Sequence, residues 1–245
     1  MKTVVLAAGY ATRLYPLTEN FPKPLLKVHG KSILDWLADD VAHADGSAEF
    51  VVVTNHRFVG HFRQWASGRR ERVTVVDDGT DTNENRLGAV CDLRLAVDRL
   101  ALDDNLFVMA GDNLLDFRLS AFFGYAGRKQ TSCVMRFYQP DTNKLSKSGV
   151  VTVDSGDRIL RMTEKSPSPE SNWVCPPFYW FLRDDVRLVS EAVNDGCGTD
   201  APGSFVAWLS ARVPVHAMEM PGRRYDIGDL ESYETVQREY TGIRE

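Results

Sequence analysis

The chain has 245 residues, 43% of them hydrophobic, and a formal net charge of −5. The acidic balance argues against a nucleic-acid-binding protein, because such proteins carry basic patches, and no run of about 18 apolar residues predicts a membrane span. Four scattered cysteines predict reduced thiols without a disulfide framework or a zinc site. With no signal-peptide pattern at the start, we expect a cytoplasmic protein.

The first half of the chain alternates strand and helix patterns. Continuous apolar runs predict buried strands, and apolar residues recurring every three or four positions predict amphipathic helices. The predicted strands are 3–7, 50–53, 73–76 and 106–110, and the predicted helices are 31–42, 58–66 and 88–100. Strands without polar alternation, each followed by a helix, predict a parallel sheet that is covered on both faces.

The second half has a different pattern. Strands are predicted at 131–138, 149–153, 158–163, 173–182 and 213–218, and helices at 185–194, 201–210 and 230–240. The turn Asp154-Ser155-Gly156-Asp157 separates two of these strands, which is typical of antiparallel pairing. We therefore expect antiparallel additions to the edge of the sheet. No clear linker divides the chain, so residues 1–245 are predicted to form a single domain whose halves are 1–115 and 116–245.

A loop of small residues with two nearby cations follows the first predicted strand. It reads Leu6-Ala7-Ala8-Gly9-Tyr10-Ala11-Thr12-Arg13-Leu14, and Lys23 follows between two prolines. Small residues let backbone N–H groups approach a phosphate closely, and the cations can meet its charge. Ligands of parallel sheets lie beyond the carboxyl ends of the strands. The loop is therefore predicted to bind a nucleotide phosphate, at the edge where Asp112 also falls.

This loop resembles the signature of the sugar-phosphate nucleotidyltransferases, the family of glucose-1-phosphate thymidylyltransferase. The resemblance rests on residues 9–13, on Thr18 and on Lys23-Pro24. The family has glycine where Ala11 stands, and alanine restricts positive φ. The resemblance implies that Arg13 and Lys23 are catalytic and hold the triphosphate. It also implies that the nucleotide is bound by Leu6, Ala8, Gly9, Tyr10, Ala11, Thr12 and Arg13.

Two aspartates resemble the metal ligands of the same family. Asp112 lies in Gly111-Asp112-Asn113, and Asp226 lies in Tyr225-Asp226-Ile227-Gly228, which resembles the family's Trp/Tyr-Xaa-Asp-Xaa-Gly element. Taken alone, Asp112 could cap a helix and Asp226 could be an ordinary turn residue. Taken together, the resemblance implies that they bind Mg²⁺, which prefers oxygen ligands.

Other positions resemble the family's substrate contacts. The resemblance implies that the phosphorylated acceptor contacts Asn113, Gly149, Glu164, Lys165 and Tyr179, with Lys165 on its phosphate. Glu164-Lys165 is followed by serine where the family has proline, and on its own it would be a charged surface pair. The resemblance further implies that the base is bound near Gly88, with Asn83 and Asn85 both candidates for its edge, although loop asparagines mostly form turns.

The segment 173–180, Trp-Val-Cys-Pro-Pro-Phe-Tyr-Trp, departs from the family's small-Gly-Xaa-Tyr element. Two prolines remove two backbone donors, so the acceptor could differ from a common hexose phosphate. Its aromatic residues favour a place in the core. A cage for a quaternary ammonium such as phosphocholine is the alternative.

Pattern and resemblance together predict a Rossmann-like three-layer α/β/α nucleotidyltransferase fold with a mostly parallel central sheet. The expected function is Mg²⁺-dependent transfer of an NMP from an NTP to a sugar 1-phosphate. Alternatives are a CTP-dependent enzyme acting on phosphocholine or a phosphonate, and a non-catalytic homologue that binds nucleotide sugars. The expected partners are an NTP and a small phosphorylated acceptor, and a homo-oligomer is compatible with the sequence. The C-terminal β-helix of some relatives is expected to be absent.

Overall fold

The computed structural model describes residues 1–244. Its strands, in chain order, are β1 (Lys2–Leu6), β2 (Lys27–Val28), β3 (Lys31–Ser32), β4 (Glu49–Thr54), β5 (Val73–Asp77), β6 (Leu106–Ala110), β7 (Asn113–Leu115), β8 (Ser132–Tyr138), β9 (Gly149–Val153), β10 (Ile159–Glu164), β11 (Trp173–Val174), β12 (Phe178–Phe181), β13 (Val215–Glu219) and β14 (Arg224–Asp226). Its α-helices are α1 (Ile33–Ala44), α2 (Val59–Ser67), α3 (Ala89–Leu100), α4 (Ser120–Lys129), α5 (Thr142–Leu145), α6 (Arg183–Val186), α7 (Val189–Asn194), α8 (Gly203–Ser210) and α9 (Leu230–Glu239). Short 3₁₀ helices cover Thr12–Leu14, Lys23–Leu25 and His56–Phe58.

The chain divides into two compact units that are interleaved in sequence. The first consists of Met1–Arg86, Ala110–Ala121 and the described part of Pro221–Glu245, and the second of Leu87–Met109 and Phe122–Met220. The expected midpoint at residue 115 lies inside a segment of the first unit. Ten of the described strands belong to a mixed sheet, and the predicted α/β fold class is confirmed.

In the first unit, β1, β4 and β5 are parallel, with β4 between the other two. β1 pairs with β4 from Lys2 opposite Glu49, and the side chains of these strands are almost entirely buried. Their carboxyl ends share one edge of the sheet. At that edge the Asn55 side chain donates a hydrogen bond to the Ala8 carbonyl (3.0 Å), so the loop after β1 is fixed to the end of β4.

The first unit also contains a separate two-stranded antiparallel sheet formed by β7 and β14. Tyr225 of β14 packs edge-on against Tyr240, with ring centroids 5.3 Å apart, in a buried cluster that also contains Leu14 and Ile227. Helix α9 begins at a capping box formed by Asp229 and Ser232. The C-terminal helix thus supports the strand that carries Asp226.

In the second unit the strands lie in the order β10, β9, β11, β8, β12 and β6, each antiparallel to its neighbours. β13 pairs with β8 in parallel. The core of the second unit is strongly aromatic, since it contains four fully buried phenylalanines: Phe107, Phe178, Phe181 and Phe205. The antiparallel strands therefore make up the body of this unit, whereas the sequence predicted only edge additions.

The elements missed or misplaced from sequence have simple causes. Pro176 and Pro177 lack backbone donors and divide the predicted strand 173–182 into β11 and β12. The predicted helix 185–194 is two short helices, α6 and α7. Helix α4 was not predicted because its aromatic and glycine-containing sequence has weak helical propensity. Within residues 1–244 no helix is both long and apolar enough to cross a membrane.

Candidate active site

The loop after β1 is open at its centre and strained at its end. Leu6 and Ala8 are buried, whereas Gly9 is exposed and a Cβ added there would meet nothing within 4 Å. Ala11 adopts a left-handed conformation with φ of 49°, which an L-residue other than glycine adopts only at a cost. The Thr18 hydroxyl donates a 2.8 Å hydrogen bond to the Ala11 carbonyl. This bond explains why a threonine accompanies the loop motif.

The remaining loop residues have separate roles in the structure. Tyr10 is buried, and its hydroxyl lies 3.4 Å from the Thr80 hydroxyl. Thr12 and Arg13 belong to a 3₁₀ helix and are exposed. A guanidinium nitrogen of Arg13 lies 3.7 Å from the position that a Cβ on Gly228 would take. Arg13 therefore lies beside the segment that follows Asp226.

Lys23 contacts the predicted metal-binding segments directly. Its ammonium group donates to an Asp112 carboxylate oxygen (2.6 Å) and to the Ile227 carbonyl (2.8 Å). Gly111 makes this approach sterically possible, because a Cβ there would lie 3.1 Å from the Pro24 ring. One cation thus joins Asp112, directly before β7, to Ile227, directly after β14.

Asp112 is held as a carboxylate by its neighbours. Burial alone would raise the pKa of Asp112, but the charge and hydrogen bond of Lys23 outweigh it and lower that pKa. The Asn113 amide donates to the second Asp112 oxygen (2.6 Å). Both carboxylate oxygens are therefore hydrogen-bonded to protein donors.

Asp226 lies next to Asp112 through the β7–β14 pairing. Asp226 is opposite Asn113 in that ladder, and the Ile227 N–H donates to the Asp112 carbonyl (3.4 Å). The Asp226 side chain is 54% exposed and lies 3.5 Å from the Arg224 guanidinium. The two aspartates predicted from widely separated motifs are thus brought together. A group of three or more metal-ligating side chains does not occur among residues 1–244.

A cavity of about 140 Å³ lies among these groups. Its lining includes Gly9 and Ala11 of the loop, Lys23, and Asp112. Small side chains line one part of the cavity, and a cation and a carboxylate line another. This composition suits an anionic ligand that is accompanied by a cation.

The two candidate base-edge asparagines stabilise their own loop. The Asn85 side chain accepts a hydrogen bond from the Thr82 N–H (3.0 Å), and the Asn83 carbonyl accepts one from Arg86 (2.8 Å). Gly88 lies in the second unit, at the start of α3. Its φ is 91°, and a Cβ there would lie 2.5 Å from the Thr199 carbonyl. Glycine is therefore required at position 88 for packing as well as for backbone conformation.

Glu164 of the second unit occupies a niche formed by two glycines. A Cβ on Gly149 would lie 2.6 Å from a Glu164 carboxyl oxygen, and a Cβ on Gly203 would lie 2.1 Å from the same atom. Burial raises the pKa of Glu164 to about 7, because its effect is larger than the opposing effect of the Lys165 charge, which lowers that pKa. A carboxyl group that is half protonated near neutral pH can both donate to and accept from a polar ligand.

Lys165 is paired but accessible. Its ammonium group lies 2.9 Å from an Asp200 oxygen, and the two side chains are 53% and 57% exposed. Asp200 is in turn anchored through its backbone, because its carbonyl accepts a hydrogen bond from the Ala89 N–H (3.3 Å). The segment before α8 therefore lies beside Lys165 and Glu164 as well as beside the start of α3.

Most of the aromatic cluster is core, as the sequence favoured. Phe178 and Tyr179 are 0% and 2% exposed, and the Tyr179 ring packs on Phe181. Trp173 is covered by the Arg136 guanidinium at 4.7 Å from the ring centroid. No cage for a quaternary ammonium forms from these side chains, and Tyr179 lies inside the second unit.

The family model for nucleotidyl transferases matches residues 2–242. The chain belongs to the nucleotidyl transferase family. It is 28% identical to the UTP–glucose-1-phosphate uridylyltransferase AglF of Haloferax volcanii, over 97% of this chain and 96% of that protein. It is 25% identical to the bifunctional protein GlmU of Methanocaldococcus jannaschii, over 93% of this chain and 51% of that protein. This nucleotidyl transferase thus spans about half the length of some relatives.

Solved structures agree on the fold of this nucleotidyl transferase. A UDP-glucose pyrophosphorylase complexed with UDP-glucose matches 98% of this chain and 97% of its own with a TM-score of 0.81 at 20% identity. A UDP-glucose pyrophosphorylase from Acinetobacter baumanii has a TM-score of 0.77 at 18% identity, over 98% and 92% of the two chains. At these identities the likeness concerns the fold alone.

Sequence reasoning missed three residues that shape these clusters, Asp200, Gly203 and Arg224, and it quoted Gly111 in the motif of Asp112 without giving it a role of its own. Gly203 and Asp200 have no recognisable motif. Arg224 had a signal, because residues i and i+2 of a strand share a face and Arg224 precedes Asp226 by two. Counted strictly, the aromatic position of the Trp/Tyr-Xaa-Asp-Xaa-Gly element falls on Arg224 and not on Tyr225, which corrects the match made from sequence.

Proposed function

We propose that this nucleotidyl transferase is a Mg²⁺-dependent sugar-1-phosphate nucleotidyltransferase that releases pyrophosphate from an NTP. The observation that carries the proposal is the contact of Lys23 with both Asp112 and the Ile227 carbonyl, beside the open loop at Gly9. A cation, two carboxylates and a small-residue loop at one strand edge form a phosphate-handling site. Family membership supports the same reaction class.

The proposed reaction needs little covalent chemistry from the protein. A phosphate oxygen of the acceptor attacks the α-phosphorus of the NTP, a P–O bond forms, and the bond to pyrophosphate breaks. A phosphate dianion is already nucleophilic, so no general base is required. Arg13 and Lys23 would hold the triphosphate and offset charge in the transition state, since catalysis of phosphoryl transfer is mostly positioning and electrostatics.

The side chains fit a magnesium ion. Asp112 and Asp226 offer hard oxygen atoms on adjacent segments, and Mg²⁺ is commonly bound by one or two carboxylates together with substrate phosphates and water. Two protein carboxylates are therefore enough. When bound, the ion would offset the negative charge of the phosphates. Asp112 and Asp226 would hold it, and Lys23 would fix the orientation of Asp112.

The proposed acceptor is a sugar 1-phosphate. Glu164 in its glycine niche offers a hydrogen-bonding carboxyl group to hydroxyls, and Lys165 offers an accessible cation to a phosphate. A phosphocholine acceptor would need an aromatic cage, but Phe178 and Tyr179 are buried and Trp173 is covered by Arg136. A role restricted to binding is disfavoured, because Arg13, Lys23, Asp112 and Asp226 are all present in the first unit.

The test is pyrophosphate release with each of the four common NTPs, and with dTTP, against a panel of acceptors. The panel contains glucose 1-phosphate, mannose 1-phosphate, N-acetylglucosamine 1-phosphate, phosphocholine and aminoethylphosphonate. AglF is named for UTP and glucose 1-phosphate, so that pair is measured first. We expect turnover with at least one sugar 1-phosphate, and its loss when EDTA removes the divalent ion.

Two results would count against the proposal. Turnover with only phosphocholine or the phosphonate would favour the cytidylyltransferase alternative. Nucleotide binding by calorimetry without turnover for any pair would favour a non-catalytic homologue. Asp226→Asn is the internal control: it removes the charge of a proposed metal ligand and keeps the side-chain shape, so turnover should fall at least 100-fold while thermal unfolding changes little.

A further inference from the structure

Arg224 links the two aspartates of the first unit. Its guanidinium donates to the side-chain oxygen of Asn113 (2.5 Å) and lies 3.5 Å from an Asp226 carboxylate oxygen. Asn113 in turn donates its amide to Asp112 (2.6 Å). A continuous chain of side chains therefore runs from Asp226 through Arg224 and Asn113 to Asp112.

The two hydrogen bonds of this chain are partly shielded from solvent. The Arg224 side chain is 16% exposed and Asn113 is 1% exposed. The Asn113 side-chain oxygen accepts from Arg224 and its nitrogen donates to Asp112, so these two hydrogen bonds fix the orientation of the Asn113 amide. Because of this orientation Asn113 presents a donor, and not a carbonyl oxygen, to Asp112. Arg224 thereby determines how the Asp112 carboxylate is held.

We propose that Arg224 is a positioning residue that, through Asn113, orients the Asp112 and Asp226 carboxylates for a divalent cation. The inference rests on the proposed function, which assigns the cation to these aspartates. Groups that hydrogen-bond to metal ligands orient them, and their loss typically lowers metal affinity about 10- to 100-fold. The planar fork of arginine suits this task, because one guanidinium can reach two partners at fixed angles.

A competing effect has the opposite sign. A guanidinium near two carboxylates repels a divalent cation, so its removal could strengthen metal binding. The repulsion should be the smaller effect, because the Asp226 side chain is more than half exposed and its 3.5 Å contact with Arg224 is screened by solvent. The Asn113 contact is shorter (2.5 Å) and partly buried, so positioning should dominate.

The experiment measures Mn²⁺ binding by electron paramagnetic resonance in the full-length protein without nucleotide. Wild type is compared with Arg224→Lys, Arg224→Met and Asn113→Ala. We expect all three variants to bind Mn²⁺ about 10- to 100-fold more weakly. Arg224→Lys decides between the two effects, since it keeps the charge but loses the fork. The double variant Asn113→Ala/Arg224→Met should be less than additive, because both residues act on one chain of contacts.

Arg223→Met is the matched control. Arg223 is the preceding residue, carries the same charge, and is 59% exposed with Glu239 as its partner. The substitution Arg223→Met should leave the affinity for Mn²⁺ unchanged. Thermal unfolding and circular dichroism without metal verify that each variant folds, and Asn113→Ala tests the same link if the Arg224 variants do not fold.

The outcomes separate this inference from the proposed function. If Asp112→Asn binds Mn²⁺ as well as wild type, or if wild type binds none even after UTP is added to complete the site with phosphate oxygens, the proposed metal site itself is wrong. If Asp112→Asn loses binding but Arg224→Lys and Asn113→Ala do not, the positioning role is wrong and the site stands. Tighter binding by Arg224→Met with unchanged binding by Arg224→Lys would show that Arg224 acts as a competing charge, and would also overturn the inference.

Discussion

The two units contain polar clusters of different construction. In the first unit, Lys23, Asp112, Asn113 and Arg224 are joined by contacts of 2.5 to 2.6 Å, and the side chains of the Lys23–Asp112 pair are 13% and 29% exposed. In the second unit, Lys165 and Asp200 form a pair in which both side chains are more than half exposed. The first cluster is assembled in advance, whereas the second offers loosely held groups.

This difference agrees with the tasks proposed for the two clusters. An exposed ion pair contributes about 0–1 kcal/mol, so the Lys165 ammonium can exchange Asp200 for a ligand phosphate at little cost. Groups that stabilise a transition state work best when they are already oriented, because no reorganisation is then needed during the reaction. The network around Lys23 meets that condition.

Removal of the Lys23 cation should break the preassembled cluster and have the largest effect. Lys23→Ala eliminates a charge proposed to face the triphosphate and also leaves Asp112 and the Ile227 carbonyl without their shared donor. We expect kcat for pyrophosphate release to fall about 100- to 1,000-fold. Lys165→Ala should instead raise the acceptor KM with a smaller change in kcat, because its cation is loosely held.

Lys31→Ala provides the reference for both variants. Lys31 is a lysine of the same unit as Lys23, and it pairs with Asp39 and lies over the Trp36 ring. It should leave turnover close to wild type. Near-normal turnover of Lys23→Ala, with the fold intact by circular dichroism, would remove Lys23 from the mechanism.

The pKa of Glu164 predicts a pH-dependent stability difference of intermediate size. This pKa is raised from 4.5 to about 7 by burial, so the folded state binds more protons than the unfolded state between these values. Stability is therefore lost as pH rises from about 4.5 to 7 and stays lower above 7. Relative to wild type, Glu164→Gln should gain about 1–2 kcal/mol of unfolding free energy between pH 5 and pH 8, a figure reduced for partial solvent access.

Urea unfolding of both proteins at pH 5, 6, 7 and 8 measures this difference. Glu170→Gln removes an exposed carboxylate of the same unit, paired with Arg161, and its difference from wild type should change less over the same range. A Glu164→Gln difference that is constant from pH 5 to 8 would contradict the raised pKa. It would also mean that Glu164 is fully ionised at neutral pH and does not supply the hydrogen-bond donor proposed for acceptor hydroxyls.

The sequence was most informative for the preassembled cluster. Arg13 and Asp112 follow predicted parallel strands, and parallel strands place their carboxyl ends at one edge of the sheet, so their proximity could be predicted from pattern. Lys23 and Asp226 were placed in the same site only by the family resemblance. Arg224 was missed although its place two residues before Asp226 was a signal, and the close approach of Pro24 to Gly111 is a tertiary contact that no local pattern specifies.

The second unit was less predictable for the same kind of reason. The niche of Glu164 depends on Gly203, which is 39 residues away in the chain, and neither residue has a period that points to the other. The prolines at 176 and 177 showed that this segment departs from the family pattern. They did not show the structural result, which is that the predicted strand 173–182 is divided into β11 and β12. Burial of Tyr179 agrees with the core position that the sequence favoured for these aromatic residues, and it follows from the pairing of β12 with β6 and β8.

The smallest predicted effect concerns strain within the preassembled unit. Ala11 adopts φ of 49° and ψ of 42°, a conformation that costs a non-glycine residue about 1–2 kcal/mol. Glycine would remove this cost but would add flexibility to the unfolded chain worth about 0.4–1 kcal/mol. Ala11→Gly should therefore stabilise the protein by about 0.5 kcal/mol, measured as a shift in urea midpoint at constant m-value.

Ala211→Gly is the matched control, since Ala211 is exposed and has φ of −76°. There the unfolded-state effect acts alone, so the same substitution should destabilise the protein. If Ala11→Gly destabilises as much as Ala211→Gly, the left-handed conformation of Ala11 carries no net cost in free energy. The hydrogen bond from Thr18 to the Ala11 carbonyl would then fully offset the backbone strain. Opposite signs for the two variants would instead locate stored strain at the end of the phosphate loop, where glycine is the residue of the family pattern.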